Sequence, residues 1–414
     1  MKMLSPTGFW KKFTVVIFGS LAAQAIPLGV LPILTRLLTP TELGPYFIWL
    51  GFVSVLSIFL SLRLDMAVFN AQTNDELRDI VQTSLIMAAA LGVTLATILL
   101  VFNKILPNTI NNNLDLWPIE SLVLAALWAS NMVLQSAYLY GGHFKKQAIS
   151  KVLLAFLVAA AQLSAIYLGW GLNGLVINQL FATFIIVIYN IVTISKIYNI
   201  AIIKIRFKKI NNMLIKYWRF PVFSMPADFI SALAAQLPML IIGNRFGGGS
   251  AGQFALMNKS MAAPIKLISG SVMSVFKEEA SYHYRLSGEC RDAFIKAFKR
   301  LSILGVAPFG ILFFYSENIF IFIFGSEWIE AGIFASILSP MFYLQFVSSP
   351  LSYMLFLGKK QIIDLIWQLI VLIITSAVYL FSKNIEISIL MYSIGMGILY
   401  ALNIYFSFLV AKGN

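Results

Sequence analysis

Twelve separate stretches of this chain are each long and apolar enough to cross a bilayer, which leaves few other ways for it to fold. A spanning helix needs about 20 apolar residues. The runs fall at 13–35, 45–66, 80–102, 118–139, 148–169, 172–194, 221–243, 253–276, 301–323, 331–357, 361–381 and 387–411. Hydrocarbon offers no water to backbone N–H and C=O groups, so each run must satisfy its own hydrogen bonds as a helix. The expected class is therefore all-α integral membrane. Composition agrees, because 59% hydrophobic and 11% charged residues cannot coat a soluble domain. The lone cysteine, Cys290, excludes an internal disulfide. His143 and His283 fall in polar connections and build no metal site, and no cofactor is expected.

The net charge of +13 would suggest nucleic acid in a soluble chain. Here it is topological, because Lys and Arg gather in cytoplasmic loops. Of the 30 lysines and arginines, only Arg36, Lys104, Arg245 and Lys383 fall in the outer segments, if the N-terminus is cytoplasmic. Arg63, Lys259 and Lys266 lie inside spans, and the remaining 23 lie on the inner side. This bias predicts a multi-pass protein with both termini in the cytoplasm. The run after Lys11 and Lys12 is too long for a signal peptide core and lacks a small-residue cleavage site, so it is read as a retained first span. The two longest connections, 195–220 and 277–300, are basic and suited to lying as amphipathic helices on the anionic inner leaflet.

A pattern recurs after spans 1 and 7. Leu31-Pro32 is followed by Arg36, Gly44 and Tyr46, and Leu237-Pro238 by Arg245, Gly252 and Phe254. Six spans separate the copies, an even number, so two halves of equal orientation are expected, related by an axis along the membrane normal. The predicted organisation is an N-lobe at 1–194, a basic connector at 195–220 and a C-lobe at 221–414. Two pseudo-symmetric six-helix lobes would then flank a central cavity.

Charge at bilayer depth costs roughly 3 kcal/mol on insertion scales, so the three intramembrane cations need a use. Lys259 and Lys266 are seven apart, two turns, and share one face of span 8. Lys266 is near mid-bilayer, too deep to reach the interface. Lys259 is nearer the outer surface, where snorkelling competes with cavity lining. Arg63 sits near the inner end of span 2, where an interfacial anchor competes with a phosphate-binding or gating role. Asp65 is two residues on, and positions i and i+2 do not face each other on a helix, so it is not expected to be the direct partner of Arg63. Asp228, the acid well inside span 7, is expected to pair with a cavity lysine or to titrate as a coupling site. Gln24 and Gln345 are candidate sugar-binding amides, with helix–helix hydrogen bonding the alternative. Pro27, Pro32, Pro226, Pro238 and Pro264 permit bends.

The run Gly19-Ser20-Leu21-Ala22-Ala23-Gln24-Ala25-Ile26-Pro27, with Leu31-Pro32-Ile33-Leu34-Thr35-Arg36-Leu37-Leu38-Thr39-Pro40-Thr41-Glu42-Leu43-Gly44, resembles the opening of bacterial polysaccharide flippases. So does Ser61-Leu62-Arg63-Leu64-Asp65-Met66-Ala67-Val68. This family, the Wzx-type O-antigen flippases, forms part of the multidrug/oligosaccharidyl-lipid/polysaccharide exporter superfamily. The resemblance implies a two-lobed transporter in the bacterial inner membrane. It would move an undecaprenyl-pyrophosphate-linked oligosaccharide from the cytoplasmic to the periplasmic leaflet by alternating access, coupled to a proton or sodium gradient. Membrane lipids and other polysaccharide assembly proteins would be its partners.

The residues agree in sign, since moving a pyrophosphate through hydrocarbon requires cationic donors in place of water. A multidrug exporter of the same superfamily would favour a cavity rich in acids. A membrane polysaccharide polymerase would need a large outer loop, and the longest here, 103–117, is short and Asn-rich. Gly247-Gly248-Gly249 lacks the Lys-Ser or Lys-Thr of a phosphate loop. No enzyme motif appears, so a non-enzymatic transporter is expected.

Overall fold

The computed structural model describes residues 6–105, 118–199, 207–358 and 361–413. Some side chains within its helices, that of Lys266 among them, lie outside the described residues. The secondary structure found among the described residues is helical. In order the helices are α1 (Pro6–Leu37), α2 (Pro40–Ser61), α3 (Leu64–Ala67), α4 (Asn74–Ile105), α5 (Pro118–Tyr140), α6 (Phe144–Tyr167), α7 (Gly171–Tyr198) and α8 (Phe207–Lys216). Then come α9 (Met225–Phe246), α10 (Gly248–Ser287), α11 (Arg291–Phe324), α12 (Ile329–Leu351), α13 (Tyr353–Leu357), α14 (Gln361–Phe381) and α15 (Ile385–Ala411). Twelve of these carry the twelve apolar runs. Among the described residues ten helical stretches are long and apolar enough to cross a membrane, α10 not being one of them, and Ile366–Leu380 is a shorter apolar one. The chain is an all-α, multi-pass membrane protein.

The helices form two compact units whose membership is exchanged. Unit 1 holds 1–34 and 49–236, and unit 2 holds 35–48 and 237–414. The turn between α1 and α2 thus packs with the second half of the chain, and the first turns of α9 pack with the first half. The boundary differs from a simple division at 194 and 220. The stretch 207–216 is not a free connector, since α8 belongs to unit 1.

Glycine explains how unit 2 takes in the start of α2. A Cβ on Gly44 would lie 1.8 Å from the Gly248 carbonyl oxygen, and one on Gly252 would lie 2.6 Å from the Pro40 oxygen. Gly248 and Gly252 are one turn apart on α10, the small-xxx-small spacing that lets backbones touch. The two glycines of the repeated pattern are therefore each other's packing partners. Its two arginines also do one job. Arg36 donates to the Phe322 carbonyl at 2.8 Å, and Arg245 to those of Tyr379 at 2.8 Å and Ser382 at 3.0 Å. Each guanidinium satisfies orphan carbonyls at a helix C-terminus, where the dipole favours a cation.

The basic connection 277–300 is not a surface-lying amphipathic helix. α10 runs on to Ser287, Gly288 turns the chain at φ 74°, and α11 starts at Arg291. Over its described part the connection 195–220 holds the helix α8, which is tied to the start of α4. Lys209 pairs with both oxygens of Asp79 at 2.9 and 3.0 Å, and Lys216 pairs with Glu76. The Tyr217 hydroxyl donates to the same Glu76 oxygen at 2.6 Å. The acidic start of α4, which the helix dipole favours, holds α8 against the protein. Residues 200–206 of this connection lie outside the described residues.

Candidate functional site

Unit 1 brings three of the predicted charges together by breaking a helix. α2 ends at Ser61, and Leu62 and Arg63 both take left-handed backbone conformations, φ 47° and 54°. A left-handed conformation costs a non-glycine residue roughly 1–2 kcal/mol, and the Ser61 hydroxyl helps to hold it by accepting from the Arg63 N–H at 3.1 Å. The chain then re-enters a helix as α3. The break turns Arg63 inward. Its Nε donates to Asp228 Oδ2 at 2.6 Å, and its Nη1 lies 3.5 Å from Asp65 Oδ2.

Two expectations are corrected here. Arg63 and Asp65 do meet, because the i, i+2 argument holds only within a continuous helix and this one stops between them. Asp228 pairs with Arg63, not with a lysine, because the first turns of α9 belong to unit 1 with α3. A single guanidinium between two carboxylates also means that Arg63 is no free cation. The Arg63 and Asp65 side chains are about nine-tenths buried, whereas Asp228 is 39% exposed. Asp65 Oδ1 is buried with no partner among the described residues. The wide helical turn Phe220–Ser224 precedes α9, and such local widening recurs at functional sites.

Lys259 lies in unit 2 and is built differently. Seven residues on from Gly252 along α10, it meets Phe47, three residues on from Gly44 along α2. The ammonium sits 3.8 Å from the Phe47 ring centroid, a cation–π contact. Phe47 is buried, while the Lys259 side chain is exposed. Among the described residues no carboxylate lies within ion-pair distance of its Nζ. Gln253, one turn and a half earlier, fixes this part of α10 by donating to the Glu327 carbonyl at 2.7 Å and accepting from the Ala331 N–H at 3.0 Å. α10 runs unbroken through 259 and 266, which keeps the two lysines on one face about 10 Å apart along the axis. The Lys266 side chain lies outside the described residues, as does that of Pro264.

Gln24 on α1 and Gln345 on α12 are half-buried, and neither hydrogen-bonds another described side chain or backbone group. His143 precedes α6 and stacks edge-on against Tyr198 at 6.3 Å. Burial first, and then Lys146, hold its imidazole below the ordinary value. His283 lies within α10, not in a loop. Burial and the Glu76 carboxylate push the Tyr217 phenol up. Among the described residues no cluster of His, Cys, Asp and Glu could hold a metal ion.

Sequence reasoning passed over Phe47 as the seat of Lys259, and over Glu76 and Asp79 as the dock for α8. The acid-rich start Asn74-Asp75-Glu76 and Asp79 was the available clue for the dock.

Residues 33–332 match the family model described as polysaccharide biosynthesis protein. No curated protein matches the sequence. Among solved structures, the chain is similar to an inward-facing multidrug resistance MATE family transporter of the MOP superfamily, with TM-score 0.67, 15% identity and 93% of each chain covered. An outward-facing structure of such a transporter gives TM-score 0.55 at 15% identity, over 96% of this chain and 92% of the other. A MOP superfamily transporter from Pyrococcus furiosus, whose reversed pocket polarity suggests a different function, gives 0.55 at 13% identity, over 95% and 93%. At these identities the likeness establishes the fold.

Proposed function

The chain belongs to the polysaccharide biosynthesis protein family, and on that premise we propose that it is a flippase for lipid-linked oligosaccharide. It carries undecaprenyl-pyrophosphate-linked repeat units, such as those of O-antigen, from the cytoplasmic to the periplasmic leaflet of the bacterial inner membrane. The observation that carries this reading is Lys259, an exposed residue of α10 on the run read as the eighth span, whose amine is held by an aromatic ring and by no described carboxylate. An amine so placed is ready for a phosphate oxygen, and a charge-assisted bond to it replaces lost hydration. Lys266, on the same face of α10, would add a second donor along the path, and Gln24 and Gln345 would meet sugar hydroxyls.

The Arg63–Asp65–Asp228 cluster takes the coupling role. Two carboxylates on one guanidinium leave a net negative charge, so a proton or a sodium ion is attracted. Neutralising Asp228, the more exposed acid, would loosen its hold on Arg63 and free α9 to move relative to α3. Alternating access then follows from binding that differs between the charged and neutralised states.

A multidrug antiporter is the rival within the same fold. It is disfavoured because the acids of this chain's cluster are already engaged by Arg63, whereas Lys259 would repel a lipophilic cation. The test is complementation of a strain lacking its own flippase, read by surface glycan. Lys259→Ala should abolish glycan at wild-type protein level, and Lys259→Arg should restore part of it. Full glycan from the Ala variant, or drug resistance in its place, would refute the assignment.

A further inference from the structure

A groove between α10 and α11 of unit 2 is used by none of this chemistry. Its volume is about 320 Å³, and Val272 and Phe276 of α10 line it with Ala297, Leu301 and Leu304 of α11. Glu279, Lys296 and Arg300 stand at one end. Phe276 and Leu301 form a closed floor, at 2% and 1% exposure, while Leu304 is open at 53%.

The position along α11 sets its depth. Arg291, Lys296, Lys299 and Arg300 give way at Leu301 to an apolar run reaching Phe324. Arg300 therefore marks the boundary between headgroups and hydrocarbon, on the side that the lysine and arginine distribution assigns to the cytoplasm. Lys296, Arg300 and Leu304 follow at four-residue spacing, so they form one stripe with charge at the water end and leucine at the oily end. Lys296 is engaged by Glu279 at 3.3 Å. Arg300 has no carboxylate partner among the described residues.

We propose that this groove holds one inner-leaflet glycerophospholipid of net negative charge. An acyl chain lies along Val272, Leu301 and Leu304, and the phosphodiester rests on Arg300. Among the described residues two cations stand against one carboxylate, a single net positive charge that suits a phosphodiester better than the multiply charged pyrophosphate of a transported carrier. The site is thus independent of the transport reading, and either can fail without the other.

The test is native mass spectrometry of the purified full chain, titrated with palmitoyl-oleoyl phosphatidylglycerol, with phosphatidylcholine of the same chains, and with glycerol 3-phosphate. One phosphatidylglycerol per chain should be retained, about tenfold more tightly than phosphatidylcholine, and glycerol 3-phosphate should not compete. Arg300→Gln should lower that affinity about five- to tenfold, the scale of one cation at a membrane surface. Ala297→Phe should weaken both lipids by filling the groove. Glu279→Gln should tighten phosphatidylglycerol by freeing Lys296, an opposite sign that no folding defect would produce. Lys383→Gln, an exposed basic residue at the turn between α14 and α15, should leave binding unchanged. Equal binding of the two phospholipids, effective competition by glycerol 3-phosphate, or wild-type affinity in both Arg300→Gln and Ala297→Phe would overturn the proposal.

Discussion

Replacing Gly44 by alanine should separate two helices that now touch backbone to backbone. The added Cβ would stand 1.8 Å from the Gly248 oxygen, 2.6 Å from the Gly248 carbonyl carbon and 3.2 Å from the Gly252 nitrogen. A carbon–oxygen contact is comfortable at about 3.3 Å, so α2 and α10 must part by roughly 1.5 Å. Neither partner atom is a side chain that could swing aside. Overpacking of this kind costs up to about 3 kcal/mol, and the gap forfeits dispersion along the whole crossing. Alanine's better helix propensity returns about 1 kcal/mol, for a net loss of about 2 kcal/mol. At about 2–4 °C per kcal/mol for a unit of this size, the purified chain should melt about 4–8 °C lower. Gly29→Ala is the matched control, because a Cβ there meets nothing within 4 Å. It should melt at or slightly above wild type. Equal melting of Gly44→Ala and Gly29→Ala would refute the close crossing that seats Phe47 against Lys259.

Other expectations follow from the same geometry. Arg63→Ala leaves Asp65 buried without its cation and should cost about 3–5 kcal/mol. Asp228→Asn, at a more exposed site, should cost far less, and equal losses in a denaturant titration would contradict the pairing. In the dock of α8 on α4, Lys216→Glu and Glu76→Lys should each loosen α8, and the double exchange should restore it. Limited proteolysis between α7 and α9 reads this, and no rescue would break the assignment. His143 is held below 6.5 chiefly by burial, so the fold favours the neutral ring. That contribution is intact above about pH 6.5 and is lost as pH falls below it. The hydrogen-exchange protection factor at the α5–α6 turn, taken against an intrinsic rate that itself falls toward pH 5, should therefore drop, and an equal drop in His143→Gln would refute it.

The spans were legible because bilayer thickness imposes a run length that no connection here imitates. The run at 45–66 shows the limit of that logic. Helix α2 stops at Ser61, yet Leu62 and Arg63 are ordinary helix formers with no glycine or proline beside them. Only the tertiary reward of placing a guanidinium between Asp65 and Asp228 explains the break, and a local reading of residues 60–66 contains neither α9 nor its carboxylate. The repeated Arg–Gly–aromatic pattern was visible, but its meaning was not. That Gly44 and Gly252 are mutual partners depends on residues 35–48 packing with unit 2, an exchange between units that periodicity does not encode. The charge of the connector was equally plain, but that Lys209 and Lys216 meet Asp79 and Glu76 of α4 was not.

The central claim is that Lys259 grips the phosphate of a lipid carrier. The most direct measurement is translocation of a polyprenyl-pyrophosphate-linked oligosaccharide by the purified chain in proteoliposomes, comparing wild type with Lys259→Met. That variant keeps the length of the side chain and removes its charge, and loss of an exposed cation–π contact costs only about 0.5–1 kcal/mol of stability. The account predicts that translocation falls to the protein-free rate while melting stays within a few degrees of wild type. Translocation at the wild-type rate in the Met variant would contradict it.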